Sequence, residues 1–100
     1  MIRRYAPIKP SRGTTIPLEL RILVLGRDQG CVGERAHFPI QDHYGALELD
    51  HVRASHGIGM KSETSAGNLA VLCGSCHRWK TEHGKEARPL LLAYLERVSA

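Results

Sequence analysis

Three cysteines, Cys31, Cys73 and Cys76, cannot all pair within one chain, so the odd count excludes a disulfide framework as the basis of the fold. No apolar stretch follows the basic start Met1-Ile2-Arg3-Arg4, and no secretory leader is expected there. Apolar runs such as Ile22-Leu23-Val24-Leu25 are far too short to cross a bilayer. Internal repeats and low-complexity tracts are missing as well. A chain of 100 residues reads as one domain with a modest apolar core, a size at which a bound metal often adds stability. These absences point to a soluble, cytoplasmic protein with reduced cysteines and no membrane contact.

What is present begins with charge. The formal net charge is +4 and the pI about 9.3, which favours a polyanionic partner. Residues 1–35 hold seven Lys or Arg (Arg3, Arg4, Lys9, Arg12, Arg21, Arg27, Arg35) against three acids (Glu19, Asp28, Glu34), whereas the remainder is balanced. By itself this bias reads equally as a solvated tail.

Pro7, Pro10 and Gly13 mark residues 1–15 as a basic extended arm, with the folded domain over 16–100. Pro17 suits the first turn of a helix, in which Leu18, Ile22 and Leu25 recur at helical spacing and Gly26 ends the pattern. Residues 27–46 read as loop. Leu47 to Val52 alternates as a strand does, with Leu47 and Leu49 on one face. A glycine- and serine-rich loop over about 53–67 precedes a second strand at Leu69-Ala70-Val71-Leu72. Cys73-Gly74-Ser75-Cys76 reads as a tight turn, followed by a helix from His77 to about His83 that Gly84 stops. A last helix from about Arg88-Pro89 presents Leu91, Tyr94, Leu95 and Val98 on one face. The expected class is α+β.

Cys73-x-x-Cys76 is the clearest chemical signal, because two thiolates at this spacing in a glycine-containing turn can bind one zinc ion tetrahedrally. Cys31 offers a third thiolate. Structural zinc sites are closed, so a fourth ligand is needed, and His43, His37 and Glu34 are the candidates. His43 lies just before Gly45 at the entry to the first strand. Glu34 is the weakest chemically, since structural zinc prefers sulfur and nitrogen. Buried inert thiols and a thiol redox pair are the competing readings; the redox pair lacks the expected βαβ surroundings. Zinc here would tie the loop after the first helix to the second strand.

Asp50-His51 closes the first strand, Asn68 precedes the second, and His77 follows Cys76 directly in Cys76-His77-Arg78-Trp79-Lys80-Thr81. Asp-His, Asn and Cys-x-x-Cys-His in this order resemble the HNH endonuclease family in its zinc-containing form, and among its members the small phage proteins, some encoded beside DNA-packaging genes. The resemblance covers about residues 28–95. It implies a ββα-metal finger with flanking helices, stabilised by structural zinc, that hydrolyses phosphodiester bonds in DNA. His51 would be the general base. Asp50 and His77 would hold one catalytic divalent ion, magnesium or manganese. Asn68 would bridge the two arms of the loop and fix His51. Two departures stand out: three zinc cysteines where the family form has four, with Asp42-His43-Tyr44-Gly45 where the second is expected, and Asp in place of His at the first motif position.

Arg53, Lys61, Arg78 and Lys80 flank this constellation as candidate phosphate contacts. His56 and His83 read as a loop residue and a helix-end residue. Trp79 and Tyr94 read as core. DNA is the expected partner, with phage terminase or packaging proteins as a second; a monomer would nick and a homodimer would cut both strands. The rival is a non-catalytic zinc-binding module that docks on DNA or a packaging protein, keeping the cysteines without needing Asp50, His51 and His77.

Overall fold

Leu69–Leu72 is the strand on which the rest is assembled, and all four of its residues are buried. A strand buried on both faces must be covered twice, and here it is. The computed structural model describes residues 16–53 and 64–99. The arm expected over residues 1–15, together with His56 and Lys61, lies outside the described residues.

The elements run α1 (Leu18–Asp28), β1 (Glu48–His51), a 3₁₀ turn (Ala66–Asn68), β2 (Leu69–Leu72), α2 (Gly74–Glu82) and α3 (Gly84–Ser99). β1 and β2 form a two-stranded antiparallel sheet with Glu48 opposite Leu72, Leu49 opposite Val71, Asp50 opposite Ala70 and His51 opposite Leu69. Among the described residues the architecture is therefore a small α+β fold with three helices. None of the described helices is long and apolar enough to cross a membrane.

Strand alternation sorts the core into two parts. Leu69 and Val71 pack with Val24 of α1, and Leu49 and Leu20 close this cluster. Ala70 and Leu72 face the other way, into the larger cluster with Val32, Phe38, Val52, Cys76, Ala87, Leu91, Tyr94 and Leu95. Glu48 and Asp50 lie two apart on β1 and share a face, so both look toward α2.

The second strand is found at its expected residues, and the first is shorter than expected, because Leu47 lies outside the ladder and is 44 % exposed. The helix bounds depart from expectation at several points. Leu18, Ile22 and Leu25 of α1, which recur at helical spacing, are 68, 62 and 39 % exposed, and Val24 and Asp28 face inward. The helix also runs through Gly26 and stops only where Gln29 turns left-handed (φ 52°) ahead of Gly30 (φ 110°), with the Gln29 N–H donating to Leu25 O at 2.8 Å. α2 starts three residues early, so Cys73 caps it and Cys76 sits in its first turn. α2 ends at Glu82, close to the expected His83, but the last helix starts at Gly84 and not at Arg88-Pro89, so Pro89 lies inside α3. The Ala87 N–H donates to His83 O, so the two helices are separated by His83 alone.

Candidate metal centre and active site

Four side chains from three separate stretches meet at the start of α2. Cys31 follows α1, His43 precedes β1, and Cys73 and Cys76 cap and enter α2. Their ligand atoms all lie within 4.8 Å of one another. His43 Nδ1 is 3.1 Å from Cys76 Sγ, 3.8 Å from Cys31 Sγ and 4.0 Å from Cys73 Sγ. A tetrahedral zinc ion sets such separations at roughly 3.5–3.8 Å, so the donors span the right space. Three thiols and one imidazole also make the donor set that zinc prefers. Of the three candidates for a fourth ligand, His43 joins the cysteines; His37 and Glu34 are exposed and outside the cluster.

The backbone around these four residues is shaped to let them meet. A Cβ added at Gly33 would fall on Cys76 Sγ and lie 3.2 Å from His43 Cε1. The Gly33 N–H donates to Cys31 Sγ at 3.3 Å. Gly45 (φ 96°) passes so close to Gly74 that a Cβ on it would sit 3.0 Å from the Gly74 Cα. Ser75 stitches the His43 segment to α2: its Oγ donates to Asp42 O at 2.9 Å and accepts from the Tyr44 N–H at 3.2 Å. Burial opposes ionisation of Cys73, yet the polar contacts of its sulfur with Ser75, the Cys76 backbone, Cys31 and Cys76 outweigh it and bring the thiol down to about 6. Burial and the neighbouring sulfurs push Cys76 up.

A second cluster lies along the face of β1 that looks toward α2. His77 Nδ1 is 3.3 Å from Asp50 Oδ1, and Lys80 Nζ is 3.1 Å from Asp50 Oδ2. His77 and Lys80 are three residues apart on α2 and so share a side of the helix. Asp50 Oδ2 and His77 Nδ1 are buried and neither has an aligned hydrogen bond. A carboxylate oxygen and an imidazole nitrogen left in this way suit a divalent ion bound through oxygen and nitrogen. The Asp50 carboxylate beside the ring raises the His77 pKa, against a smaller lowering by burial.

His51 stands apart from this pair. Strand alternation turns it away from Asp50, and its Nε2 is 3.1 Å from Thr64 Oγ1. Burial lowers its pKa, with Lys80 adding to the effect and Asp50 opposing it. Asn68 is buried and clasps the two ends of the glycine loop: its Oδ1 accepts from the Arg53 N–H at 2.8 Å and its Nδ2 donates to Arg53 O at 3.3 Å. The Arg53 and Arg78 residues are exposed. Arg78 borders a groove of about 460 Å³ beside His77, together with Tyr44, Glu48, Thr81 and Glu82.

No protein-family model, curated protein or solved structure matches this chain.

Several residues at these sites are not singled out in the sequence. Glu48 Oε1 lies 3.9 Å from His77 Nε2, and its place two residues before Asp50 on an alternating strand is the signal that would have found it. Ser75 and Thr64 carry no such signal. Asp28 is fully buried; it accepts from Tyr94 Oη at 2.5 Å, from Arg27 Nε at 2.6 Å and from the Val71 N–H at 3.0 Å, a network that long-range packing alone reveals.

Proposed function

We propose that this chain is a metal-dependent endonuclease of the HNH type that hydrolyses phosphodiester bonds in DNA, its core a ββα-metal finger stabilised by zinc. The observation that carries the reading is the buried Asp50 carboxylate facing His77, with Oδ1 3.3 Å from Nδ1, where α2 packs against the two-stranded sheet. Asp50 and His77 hold the catalytic ion in this reading. Magnesium or manganese, when bound there, neutralises charge on the scissile phosphate and on the departing oxygen.

His51 takes the proton from the attacking water, with Thr64 Oγ1 holding its ring. Asn68 fixes the backbone two residues beyond His51 and so limits how far the imidazole swings. Arg53, Arg78 and Lys80 supply cationic contacts to the DNA backbone, and Lys61 joins them by sequence. Zinc at Cys31, His43, Cys73 and Cys76 anchors the residue next to His77, which makes the cysteine centre the support of the catalytic one.

The test is cleavage of supercoiled plasmid with magnesium, with manganese and with chelator, beside the His51→Ala variant. Nicked or linear product that needs added ion and disappears in the variant supports the nuclease. Absence of cleavage by folded, zinc-loaded protein favours a second reading, a non-catalytic zinc module that docks on DNA or on a packaging protein. One observation favours that reading: among the described residues the Cys/His cluster is the one group of three or more metal-ligating side chains gathered around a point. Retention of DNA in a gel shift without any added divalent ion marks it.

A further inference from the structure

The Lys80 ammonium lies 3.1 Å from Asp50 Oδ2 and 3.5 Å from His51 O, and its side chain is only 16 % exposed. Asp50 is more buried still, at 8 %. The two oxygens of this carboxylate are thus divided, Oδ1 toward His77 and Oδ2 toward Lys80. A lysine that serves only as a phosphate contact has no need of this position. Arg78, by contrast, is exposed at the groove and free of the carboxylate.

We propose that Lys80 is the resident counter-ion of Asp50 and competes with the divalent cation for Oδ2, so that Lys80 sets the affinity of the site for its ion. The inference rests on the assignment of Asp50 and His77 as ion ligands. Two positive charges cannot share one carboxylate oxygen at contact distance without mutual repulsion, which in a partly buried site is large. Lys80 must therefore leave Oδ2 for the ion to use it. The side chain can do so, because a four-carbon stem lets the ammonium swing to another acceptor while the helix stays in place. Ion binding is weakened by the cost of that displacement, and the buried carboxylate is never left without a cation.

The experiment measures manganese binding directly, by loss of the free-ion electron paramagnetic resonance signal, on protein purified with zinc. Wild type, Lys80→Met, Lys80→Gln and His77→Ala are compared. Lys80→Met is expected to bind manganese roughly 10- to 100-fold more tightly than wild type, Lys80→Gln to be tighter as well, and His77→Ala to lose the site. Lys80→Gln keeps a hydrogen-bond donor beside Asp50 and carries the comparison should the methionine variant fail to fold by circular dichroism. Equal affinity in wild type and both Lys80 variants, with loss in His77→Ala, overturns the competition and leaves the ion site standing. No manganese binding by wild type or by either Lys80 variant overturns both.

Discussion

Gly33 leaves the space that Cys76 Sγ fills: a side chain on Gly33 would collide with that sulfur and press on His43 Cε1 at 3.2 Å. The sulfur belongs to a residue with no exposure, and His43 is tied through Tyr44 and Asp42 to Ser75, so neither moves aside easily. Gly33→Ala is expected to cost about 1–3 kcal/mol of stability and to weaken zinc binding at least about tenfold. Metal content after gel filtration and competition with a chromophoric chelator check it. Full zinc occupancy at the wild-type melting temperature would show that the centre does not depend on the space left at Gly33.

Zinc removal should act on the whole domain. Structural zinc contributes roughly 10–16 kcal/mol in small zinc domains, comparable to or larger than the total stability of about 5–15 kcal/mol of an ordinary one. The protein is expected to carry one zinc per chain, and Cys73→Ser to unfold it. His43→Ala should weaken zinc while retaining part of the fold, because three sulfurs remain. A Cys73→Ser protein that is folded and metal-free, with native circular dichroism, counts against the zinc centre.

The exposed stripe of α1 makes a contrast that stability measurements resolve. Leu18 and Ile22 are mostly exposed, whereas Val24 is fully buried against Leu69 and Val71. Leu18→Lys and Ile22→Lys are expected to change unfolding free energy by no more than about 0.5 kcal/mol. Val24→Ala should cost about 2 kcal/mol, from two lost carbons and the cavity they leave. Urea melts of the three variants test the assignment, and a large loss for Ile22→Lys would place the apolar stripe inside.

That stripe also shows where sequence reading stops. Leu18, Ile22 and Leu25 have the spacing of a core-facing helix, but Asp28 must be buried to reach Tyr94 and Val71, and its demand turns α1 by about a third of a revolution. Periodicity counts apolar residues and cannot see a buried carboxylate whose partners lie 43 and 66 positions away. β2 was legible because Leu69 to Leu72 is one short apolar run between a loop and a Cys-x-x-Cys. The start of α2 was not, because Gly74 and Ser75 read as a turn when their role as a first helical turn depends on contacts with Asp42, Tyr44 and Gly45. His43 could be favoured among three candidates by its place before Gly45, yet only the meeting of three chain segments separates it from His37 and Glu34.

Asn68 tests the clasp on the glycine loop. Its side chain is 3 % exposed and makes both hydrogen bonds to the Arg53 backbone. Asn68→Ala is expected to cost about 1–3 kcal/mol, since the Arg53 N–H and carbonyl lose their partners. Asn68→Asp keeps the acceptor for the Arg53 N–H and loses the donor to its carbonyl, so a smaller loss is expected. Under the nuclease reading both variants slow cleavage while leaving zinc content at one per chain. Thermal melts, zinc content and plasmid cleavage on the same samples separate loss of the fold from loss of the clasp.

Tyr94 gives the alkaline side of the stability curve a definite sign. Its hydroxyl donates to Asp28 Oδ1, and Arg27, Arg35 and Arg97 are the other charged groups around the ring and the carboxylate. Burial raises the Tyr94 pKa, Asp28 raises it further, and Arg35 and Arg27 only partly oppose them. The unfolded tyrosine loses its proton near pH 10 while the folded one keeps it. Between those two values the native state holds the extra proton, so stability is full below about pH 10 and falls as pH rises toward the raised value. Tyr94→Phe should remove the Tyr94 part of that decline and cost about 1.5–3 kcal/mol at neutral pH, the worth of a hydrogen bond to a charged acceptor. Urea melts of both proteins at pH 8 and near pH 10.5 give the comparison. The stability difference is expected to shrink at the higher pH; a difference that grows would mean that the Tyr94–Asp28 bond strengthens on ionisation, which two negative oxygens 2.5 Å apart cannot do.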